Sequence, residues 1–576
     1  MVEVDRESPA ESQDDVGRRP EAITWREILV VCAGYVLLTV LMTWPIALHL
    51  GTRHVRNPDM YVSAWTLAWV EHQVVRDPIH LFDANMYYPV RRSLAFGESH
   101  LPQALLAAPV LAVGGSPLLA YNVVFLLSFI LCGVSAYALG RELGASRPAA
   151  FLAGVGYSFC AYRFDHIVHL QTLSAQWLPL AVLFLLRAAR TGKIRDLLGF
   201  VSFSLLQMFS SGYYALLMGP LLGAVFLAVW SQTSRARRMR ILAAFISIGI
   251  LAFVLTEPYR AVQREYHFER TREECVYWSA RWRSYLSPGP YVALPHHVVL
   301  RRAFYDAEPL YPGVVFLALG FAGLALVRSR GGRVAVVIAG VGLLLSLGPD
   351  VHLGPLTIPG PYDLLRHLPG GAMARTPCRN AVAALLGLDL LAALAWTRLS
   401  RGRRWGSAAG VVLVSLAVVD ALPVRLHESI RPIPGAPASA HWLAAAPRGA
   451  VLELPWVRWS DAALYAYWST VHWQPMVNGY ASFEPQVEPT HYALGLLGQR
   501  WPNAQLAHLL RQRGVRYVVV HTERLRPAAR ARVLATPAPP GVHLVAQLDS
   551  DLVYEIEPTA AKAGAPATAE PRASGS

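Results

Sequence analysis

The sequence predicts an α-helical polytopic membrane protein of about eleven transmembrane helices, with its N-terminus inside, its C-terminus outside and a small extracytoplasmic α/β domain. Only 16% of the 576 residues are charged and 54% are apolar, whereas soluble domains carry roughly 25% charged residues. The apolar residues form long blocks, many of which can cross roughly 30 Å of hydrocarbon at about 1.5 Å per helical residue. A single block could be a buried core helix, but a long series of them indicates a membrane protein. We place the spans near 28–49, 117–140, 148–163, 170–189, 196–211, 213–231, 240–256, 309–328, 333–348, 379–397 and 406–424.

The distribution of arginine and lysine predicts the orientation. These residues gather in alternate short loops between the apolar blocks, and the short turns near 164–169 and 211–213 hold none of them. This is the positive-inside pattern of membrane topology, so the net charge of +14 does not indicate nucleic-acid binding. The stretch 101–113 is short and contains Pro102 and Pro109, and we interpret it as an interfacial or re-entrant helix on the outer face.

These assignments divide the chain into regions. The last outer segment alternates strand-like runs near 451–456, 515–521, 542–548 and 552–556 with helical patterns, which predicts a small α/β domain. The predicted regions are a disordered cytoplasmic tail (1–26), a transmembrane domain (27–425) with large outer loops at 50–116, 257–308 and 349–378, an extracytoplasmic α/β domain (426–557) and a disordered tail (558–576).

The first outer loop opens with a carboxylate. Asp59 follows Asn57 and Pro58 just beyond the first span, where a carboxylate can act as a general base on a hydroxyl or as a metal ligand. The alternative is that Asp59 only caps the helix after Pro58. Glu98 and His100 lie where the same loop returns to the membrane boundary, and they are candidate substrate-binding residues.

A second group of polar residues lies between the third and fourth spans. Ionisable groups at membrane depth are costly and are functional by default. His166 and His169 are three residues apart and would share a helical face, which suits a metal or a phosphate, so these two and Asp59 are the metal candidates. The arginine of the group offers a bidentate fork to a phosphate; the alternative is an interfacial anchor at headgroup level. The group comprises Arg163, Asp165, His166, His169 and Gln171.

A third, smaller set precedes the tenth span. Arg375 and Arg379 lie on the predicted outer side, against the positive-inside trend, so an anionic substrate or a lipid headgroup is expected there. The sequence contains no GxxxxGK[ST] loop and no GxSxG or HExxH motif. Their absence argues against ATP-driven transport and against serine or zinc hydrolysis.

Three stretches carry a family resemblance: DPIHLFDANMYYP, YRFDHIVHLQTLSAQWLPL and LPGGAMARTPCRN. With the early acidic residue in the first outer loop, they resemble a bacterial polytopic group of the C superfamily of membrane glycosyltransferases, which have the GT-C fold and use lipid-linked sugar donors. The likeness covers roughly 28–425. It implies that Asp59 deprotonates the acceptor hydroxyl. Many members have paired acids there, whereas this chain has only Asp59, so metal dependence stays open and Glu98 or Asp165 would supply a second acid.

The resemblance implies transfer of a sugar from a polyprenyl-phosphate donor to an extracytoplasmic glycan, lipid or protein acceptor, with inversion, in the bacterial cytoplasmic membrane. The groove near 98–113 would admit the polyprenyl chain, and the C-terminal domain would bind the acceptor. No cofactor is required by the sequence, and a divalent cation is left open. The alternative is a non-catalytic lipid or polysaccharide translocator, or an envelope assembly factor, with the same fold.

Overall fold

The computed structural model describes residues 23–353, 356–456, 458–485 and 491–558. The predicted tails 1–26 and 558–576 lie outside the described residues except at their inner ends.

Helices dominate the chain. They are α1 (Trp25–Met42), α2 (Pro58–Arg76), α3 (Leu101–Ala112), α4 (Pro117–Glu142), α5 (Arg147–Phe159), α6 (Ala161–Asp165), α7 (Leu170–Leu173), α8 (Trp177–Thr191), α9 (Ile194–Ser210), α10 (Gly212–Ala228), α11 (Arg235–Leu255), α12 (Glu257–Tyr266), α13 (Arg272–Tyr277), α14 (Pro295–Phe304), α15 (Val314–Leu326), α16 (Arg330–Ser346), α17 (Tyr362–Arg366), α18 (Ala381–Ser400), α19 (Gly406–Ala421), α20 (Ala438–Ala445), α21 (Trp459–Ser469), α22 (His491–Gly498), α23 (Ala504–Gln512) and α24 (Pro527–Ala535). The strands are β1 (Arg53–Val55), β2 (Asp350–Leu353), β3 (Leu356–Pro359), β4 (Ile430–Pro432), β5 (Ala450–Leu454), β6 (Val515–His521), β7 (Val542–Leu548) and β8 (Asp551–Ile556).

Each predicted span overlaps a helix in the structure, and the span 170–189 is divided between α7 and α8. Length and apolar composition qualify six segments of the described chain to cross a membrane, and α3, α10 and α15 are shorter apolar helices. The stretch 101–113, predicted to be a short helix, is α3. The six segments are Trp25–Met42, Pro117–Glu142, Leu170–Thr191, Arg235–Leu255, Pro377–Ser400 and Gly406–Ser429.

Helix α18 lies at the centre of the bundle, where it packs against α5, α15 and α16. Glycines allow its close approach to α16. A Cβ atom on Gly342 of α16 would lie 2.1 Å from the backbone nitrogen of Ala384, and one on Gly387 of α18 would lie 2.3 Å from that of Ala339. Small residues of this kind let two membrane helices pack backbone against backbone.

The C-terminal domain, predicted at 426–557 and called the outer domain below, is built on a four-stranded sheet of order β5-β6-β8-β7. Strands β5 and β6 are parallel, and the other pairs are antiparallel. Apolar side chains cover both faces of the sheet, in two separate clusters. The α/β architecture and the four strands predicted for this segment are therefore confirmed in the structure.

Two backbone contacts join the first outer loop to the outer domain. Strand β1 pairs with β4, with His54 opposite Arg431. Further along, the amide of Met476 donates to the carbonyl oxygen of Asn85, and the amide of Tyr88 donates to that of Met476, both at 2.8 Å. Asp59 follows β1 directly, so the outer domain fixes the loop that carries it.

A buried charge network stabilises the sheet. His521, at the end of β6, lies 3.1 Å from the Oε2 atom of Glu453 and 2.9 Å from the Oδ1 atom of Asp551. Burial alone would lower the pKa of His521, but its hydrogen bonds to Asp551 and Glu453 outweigh burial and raise the pKa to about 9. Burial would raise the pKa of Glu453, but the nearby His472, 3.8 Å away, and the hydrogen bond to His521 lower it.

We expect the stability of the protein to fall between pH 6 and pH 9.5. The raised pKa of His521 means that its contribution is complete below about 6.5, the value of unfolded histidine, and is lost as the pH rises through about 9. The pKa of Glu453 is lowered, so its contribution to stability is lost only at acid pH, outside this range. Thermal unfolding of the full chain in nanodiscs at the two pH values measures the effect, which we expect to be a few kcal/mol.

The variant His521→Gln removes the titrating group and should flatten this dependence. His543→Gln is the matched control, because His543 pairs with Glu557 on the exposed side of the same sheet, and it should keep the wild-type slope. Equal wild-type stability at pH 6 and pH 9.5 would contradict the assignment of a charged His521.

Candidate functional site

The carboxylate of Asp59 lies at the N-terminal end of α2, where the first outer loop meets the outer domain. The helix is capped by Asn57, whose side chain accepts the backbone N–H of Asp59 at 2.9 Å. The interpretation of Asp59 as the capping side chain is therefore wrong. Its own carboxylate contacts His169 through Oδ2 at 3.2 Å and accepts the hydroxyl of Tyr480 through Oδ1 at 2.9 Å.

These contacts keep Asp59 ionised. Burial alone would raise the pKa of Asp59, but the hydrogen bonds from His169 and Tyr480 and the charge of Arg379 hold it below the usual value. Burial lowers the pKa of His169, against the opposing influence of Asp59. At neutral pH the pair is therefore a carboxylate that accepts a hydrogen bond from a neutral imidazole.

Two arginines without carboxylate partners lie beside this pair. The guanidinium of Arg379 stacks on the ring of Tyr213, 4.3 Å from its centroid, and its Nε atom is buried without a hydrogen-bond partner. Burial is the largest influence on the pKa of Asp59 and of His169, and the charge of Arg379 lowers both. Arg375 also lowers the pKa of His169, and no hydrogen bond or ion pair joins Arg375 to another described residue. Two partly buried cations with unused donors suit an anionic ligand.

A second cluster lies next to the first. The Nδ1–H group of His166 donates to the carbonyl oxygen of Tyr162 at 3.0 Å, which leaves the Nε2 lone pair directed to Glu308, 4.0 Å away. Burial and the charge of Glu308 raise the pKa of Asp165 to about 8. Ligand atoms of Asp165, His166 and Glu308 all lie within 4.8 Å of one another. Glu308 lies on the Nε2 side of the imidazole, whereas Asp165 Oδ2 lies 3.8 Å from Nδ1. A histidine and two carboxyl groups within this reach are candidate cation ligands.

The rings of His166 and His169 join the two clusters, with centroids 5.4 Å apart. Their spacing predicted that the two histidines share a helical face. This prediction is wrong, because α6 ends at Asp165 and α7 begins at Leu170. The loop between the two short helices brings them together instead.

Arg163 is not part of this site. Its side chain is 1% exposed and donates to the carbonyl oxygen of Leu173 at 2.8 Å and to Ser128 Oγ at 3.2 Å, with the guanidinium over the ring of Phe129. These partners use both terminal nitrogens of Arg163 inside the bundle, while its Nε atom is buried without a partner, so the structure does not place it as the predicted phosphate ligand. Such burial also contradicts the alternative of an anchor at headgroup level.

The remaining predicted residues have mixed placements. Glu98 accepts hydrogen bonds from the Ser211 hydroxyl and the Gly212 amide, both at 3.1 Å, and so caps α10. His100 is buried against Ser63, and burial lowers its pKa to about 4, so it is neutral at pH 7. Gln171 is half-buried, and its Oε1 atom is buried without a partner among the described groups.

Three residues of the two clusters were not predicted from the sequence: Tyr480, Glu308 and Tyr213. Each comes from a segment without a local motif. An acidic residue just before the eighth span was the one available signal for Glu308, and nothing in the sequence around Tyr480 points to Asp59.

Another group of possible metal ligands is structural. His296 and His297 both contact Asp420 Oδ1, at 2.7 and 2.8 Å. The amide of Leu294 donates to His297 Nδ1 at 3.3 Å, so the proton of His297 lies on Nε2 and this ring directs no lone pair at Asp420. The carboxylate also accepts the amide of Val314, and it therefore ties α14 and α15 to α19 by hydrogen bonds.

Comparison with solved structures identifies the architecture. The chain is similar to the arabinofuranosyltransferase AftD from Mycobacteria, with a TM-score of 0.63 and 16% sequence identity over 94% of this chain and 40% of AftD. It is also similar to the oligosaccharyltransferase of Archaeoglobus fulgidus, with a TM-score of 0.51 and 13% identity over 88% of this chain and 71% of that protein. The predicted GT-C fold is thereby confirmed, although the chain spans less than half the length of AftD.

No curated protein matches the sequence. A sequence model described as "Domain of unknown function (DUF6311)" matches residues 29–358. Because this match covers more than half of the chain, the protein belongs to the DUF6311 family.

Proposed function

We propose that this protein is a membrane glycosyltransferase that transfers a sugar from a polyprenyl-phosphate donor to an acceptor on the outer face of the membrane, with inversion. AftD is an arabinofuranosyltransferase and the Archaeoglobus fulgidus protein is an oligosaccharyltransferase, so folds similar to this one host sugar transfer. Because a fold does not by itself assign an activity, the proposal depends on the site. The observation that carries it is an ionised Asp59 beside two arginines with unused donors.

The proposed step needs a base and a stabilised leaving group. The acceptor hydroxyl gives its proton to Asp59, and its oxygen forms a bond to the anomeric carbon of the sugar from the face opposite the phosphate. The bond between that carbon and the phosphate oxygen breaks, and polyprenyl phosphate leaves with the bonding electrons. A base whose pKa lies below neutrality is ready to accept a hydrogen bond from the acceptor.

Arg379 and Arg375 are the proposed ligands of the departing phosphate, in place of Arg163. Charge develops on the phosphate oxygens as the bond breaks, and fixed cations stabilise that charge most in a site from which water is excluded. His169 would orient Asp59 through its 3.2 Å contact with Oδ2.

A divalent cation is a second element of the proposal. Asp165, His166 and Glu308 fit such an ion, because the imidazole presents a lone pair and the two carboxyl groups repel each other without a cation between them. When bound, the cation would supply positive charge for phosphate binding. The ligands differ from the predicted set, since Asp59 and His169 pair with each other.

The remaining parts of the proposal concern the membrane. The lipid chain would approach along α3, where Leu105 is exposed. We place the protein in the bacterial cytoplasmic membrane with its outer domain extracytoplasmic, as the distribution of arginine supports. No contact among the described residues favours the alternative of a translocator or an assembly factor.

We expect Asp59→Asn to lower sugar transfer by at least about a hundredfold, because the amide cannot accept the proton. The assay uses purified protein in nanodiscs, synthetic polyprenyl-phosphate pentoses and hexoses labelled in the sugar, and isolated envelope glycan as acceptor. Asp77→Asn is the matched control, since Asp77 pairs with His80 at the opposite end of α2. Near-wild-type transfer by Asp59→Asn would sink the assignment of the base.

We expect Mn²⁺ or Mg²⁺ to raise the thermal midpoint of the chelator-treated protein, by the equivalent of about 2.7 kcal/mol at a hundred times the dissociation constant. Glu308→Gln should abolish the rise because it removes a charged ligand. Glu273→Gln, in the same outer loop and remote from the cluster, should keep it. A wild-type midpoint that does not respond to either ion would exclude the cation while leaving the role of Asp59 intact.

A further inference from the structure

The segment that carries Tyr480 is held against the first outer loop by its backbone. Asn85 and Tyr88 bond to Met476, and the amide of Tyr87 donates to the carbonyl oxygen of Asn478 at 3.2 Å. Gly479 makes this approach possible, since a Cβ atom there would lie 2.5 Å from the ring of Tyr87. The position of Tyr480 relative to the loop is therefore fixed by adjacent contacts.

The same segment is also fixed from the core of the outer domain. The side chain of Asn478 accepts the amide of Glu453 at 2.8 Å and donates to its carbonyl oxygen at 3.0 Å. Both residues are buried, and Glu453 belongs to the network that contains His521. Tyr480 is thus two residues from Asn478, which is hydrogen-bonded to the buried backbone of β5.

A third anchor follows the tyrosine. The amide of Phe483 donates to the carbonyl oxygen of Phe96 at 3.0 Å, and the guanidinium of Arg270 lies 4.2 Å from the centroid of the Phe483 ring. The segment is therefore held on both sides of Tyr480. A hydroxyl held in this way has little freedom to leave the Asp59 carboxylate.

We propose that Tyr480 is a positioning residue through which the outer domain orients the Asp59 carboxylate and stabilises its charged form. The proposal deepens the function given above, since it takes Asp59 as the base. A hydrogen bond to a charged acceptor is stronger than one between neutral groups, and here it fixes Oδ1 while His169 fixes Oδ2. The outer domain then contributes directly to the site, 421 residues along the chain from Asp59.

The test measures the titration of Asp59 in the full-length protein. A water-soluble carbodiimide with an amine nucleophile modifies protonated carboxyl groups, and peptide mass spectrometry gives the extent of modification at Asp59 against pH. Loss of a hydrogen bond to the charged form raises the pKa, so Tyr480→Phe should move the midpoint up by about half to one pH unit. Tyr517→Phe is the control, because it removes a tyrosine hydroxyl bonded to the carbonyl oxygen of Pro447 elsewhere in the same domain, and its midpoint should equal that of the wild type.

A second variant covers the case in which Tyr480→Phe does not fold. Gly479→Ala cannot fit against Tyr87 and should displace the hydroxyl while retaining it, with the same upward shift. If a variant unfolds at the wild-type temperature and the pH midpoint of its Asp59 modification equals that of the wild type, the proposal is overturned.

Kinetics separate this proposal from the proposed function. In the transfer assay, Tyr480→Phe should move the acid limb of kcat/KM to higher pH by the same amount and leave the KM for the polyprenyl-phosphate sugar unchanged. If the acid limb of kcat/KM in Tyr480→Phe does not move, or if the variant turns over faster than the wild type, the positioning role is contradicted. If the wild-type protein transfers no sugar but Tyr480→Phe still raises the carbodiimide midpoint of Asp59, the role of Tyr480 stands and the glycosyltransferase function is rejected.

Discussion

The candidate site depends on one carboxylate that is held from two sides. Asp59 comes from the first outer loop, His169 from the turn after α6 and Tyr480 from the outer domain. Neither partner is near Asp59 in sequence, so the β1–β4 pairing and the docked segment at 476–483 must both form before the three groups meet. The arrangement uses rigid backbone contacts to place a small number of polar atoms, as a preorganised site requires.

The membrane helices and the sheet of the outer domain were predictable because their signals are local. An apolar block indicates a span by its own length, and a run of β-branched residues indicates a strand such as β6. The prediction that His166 and His169 share a helical face was wrong because it depends on where a helix ends. Spacing implies a shared face only if the helix continues, and α6 ends at Asp165 before the first histidine.

The site was predictable only in part. Arg375 and Arg379 stand out because they run against the positive-inside trend, and Asp59 because it opens the first outer loop. Arg163 stands out as an ionisable group at membrane depth, but its partners are the carbonyl oxygen of Leu173 and the Ser128 hydroxyl, which form no pattern that sequence inspection detects. Tyr480 lies in a segment whose position is set by tertiary contacts alone.

The order in which these segments are made has a consequence for biogenesis. A ribosome completes every helix of the bundle, from α1 to α19, before it reaches the residues that pair with the first outer loop. A nascent or truncated chain that ends before residue 480 therefore contains Asp59, the proposed base, without the hydroxyl of Tyr480. Synthesis of the last domain is then the step that completes the candidate site. An unfinished chain in the membrane lacks the complete set of Asp59, His169 and Tyr480.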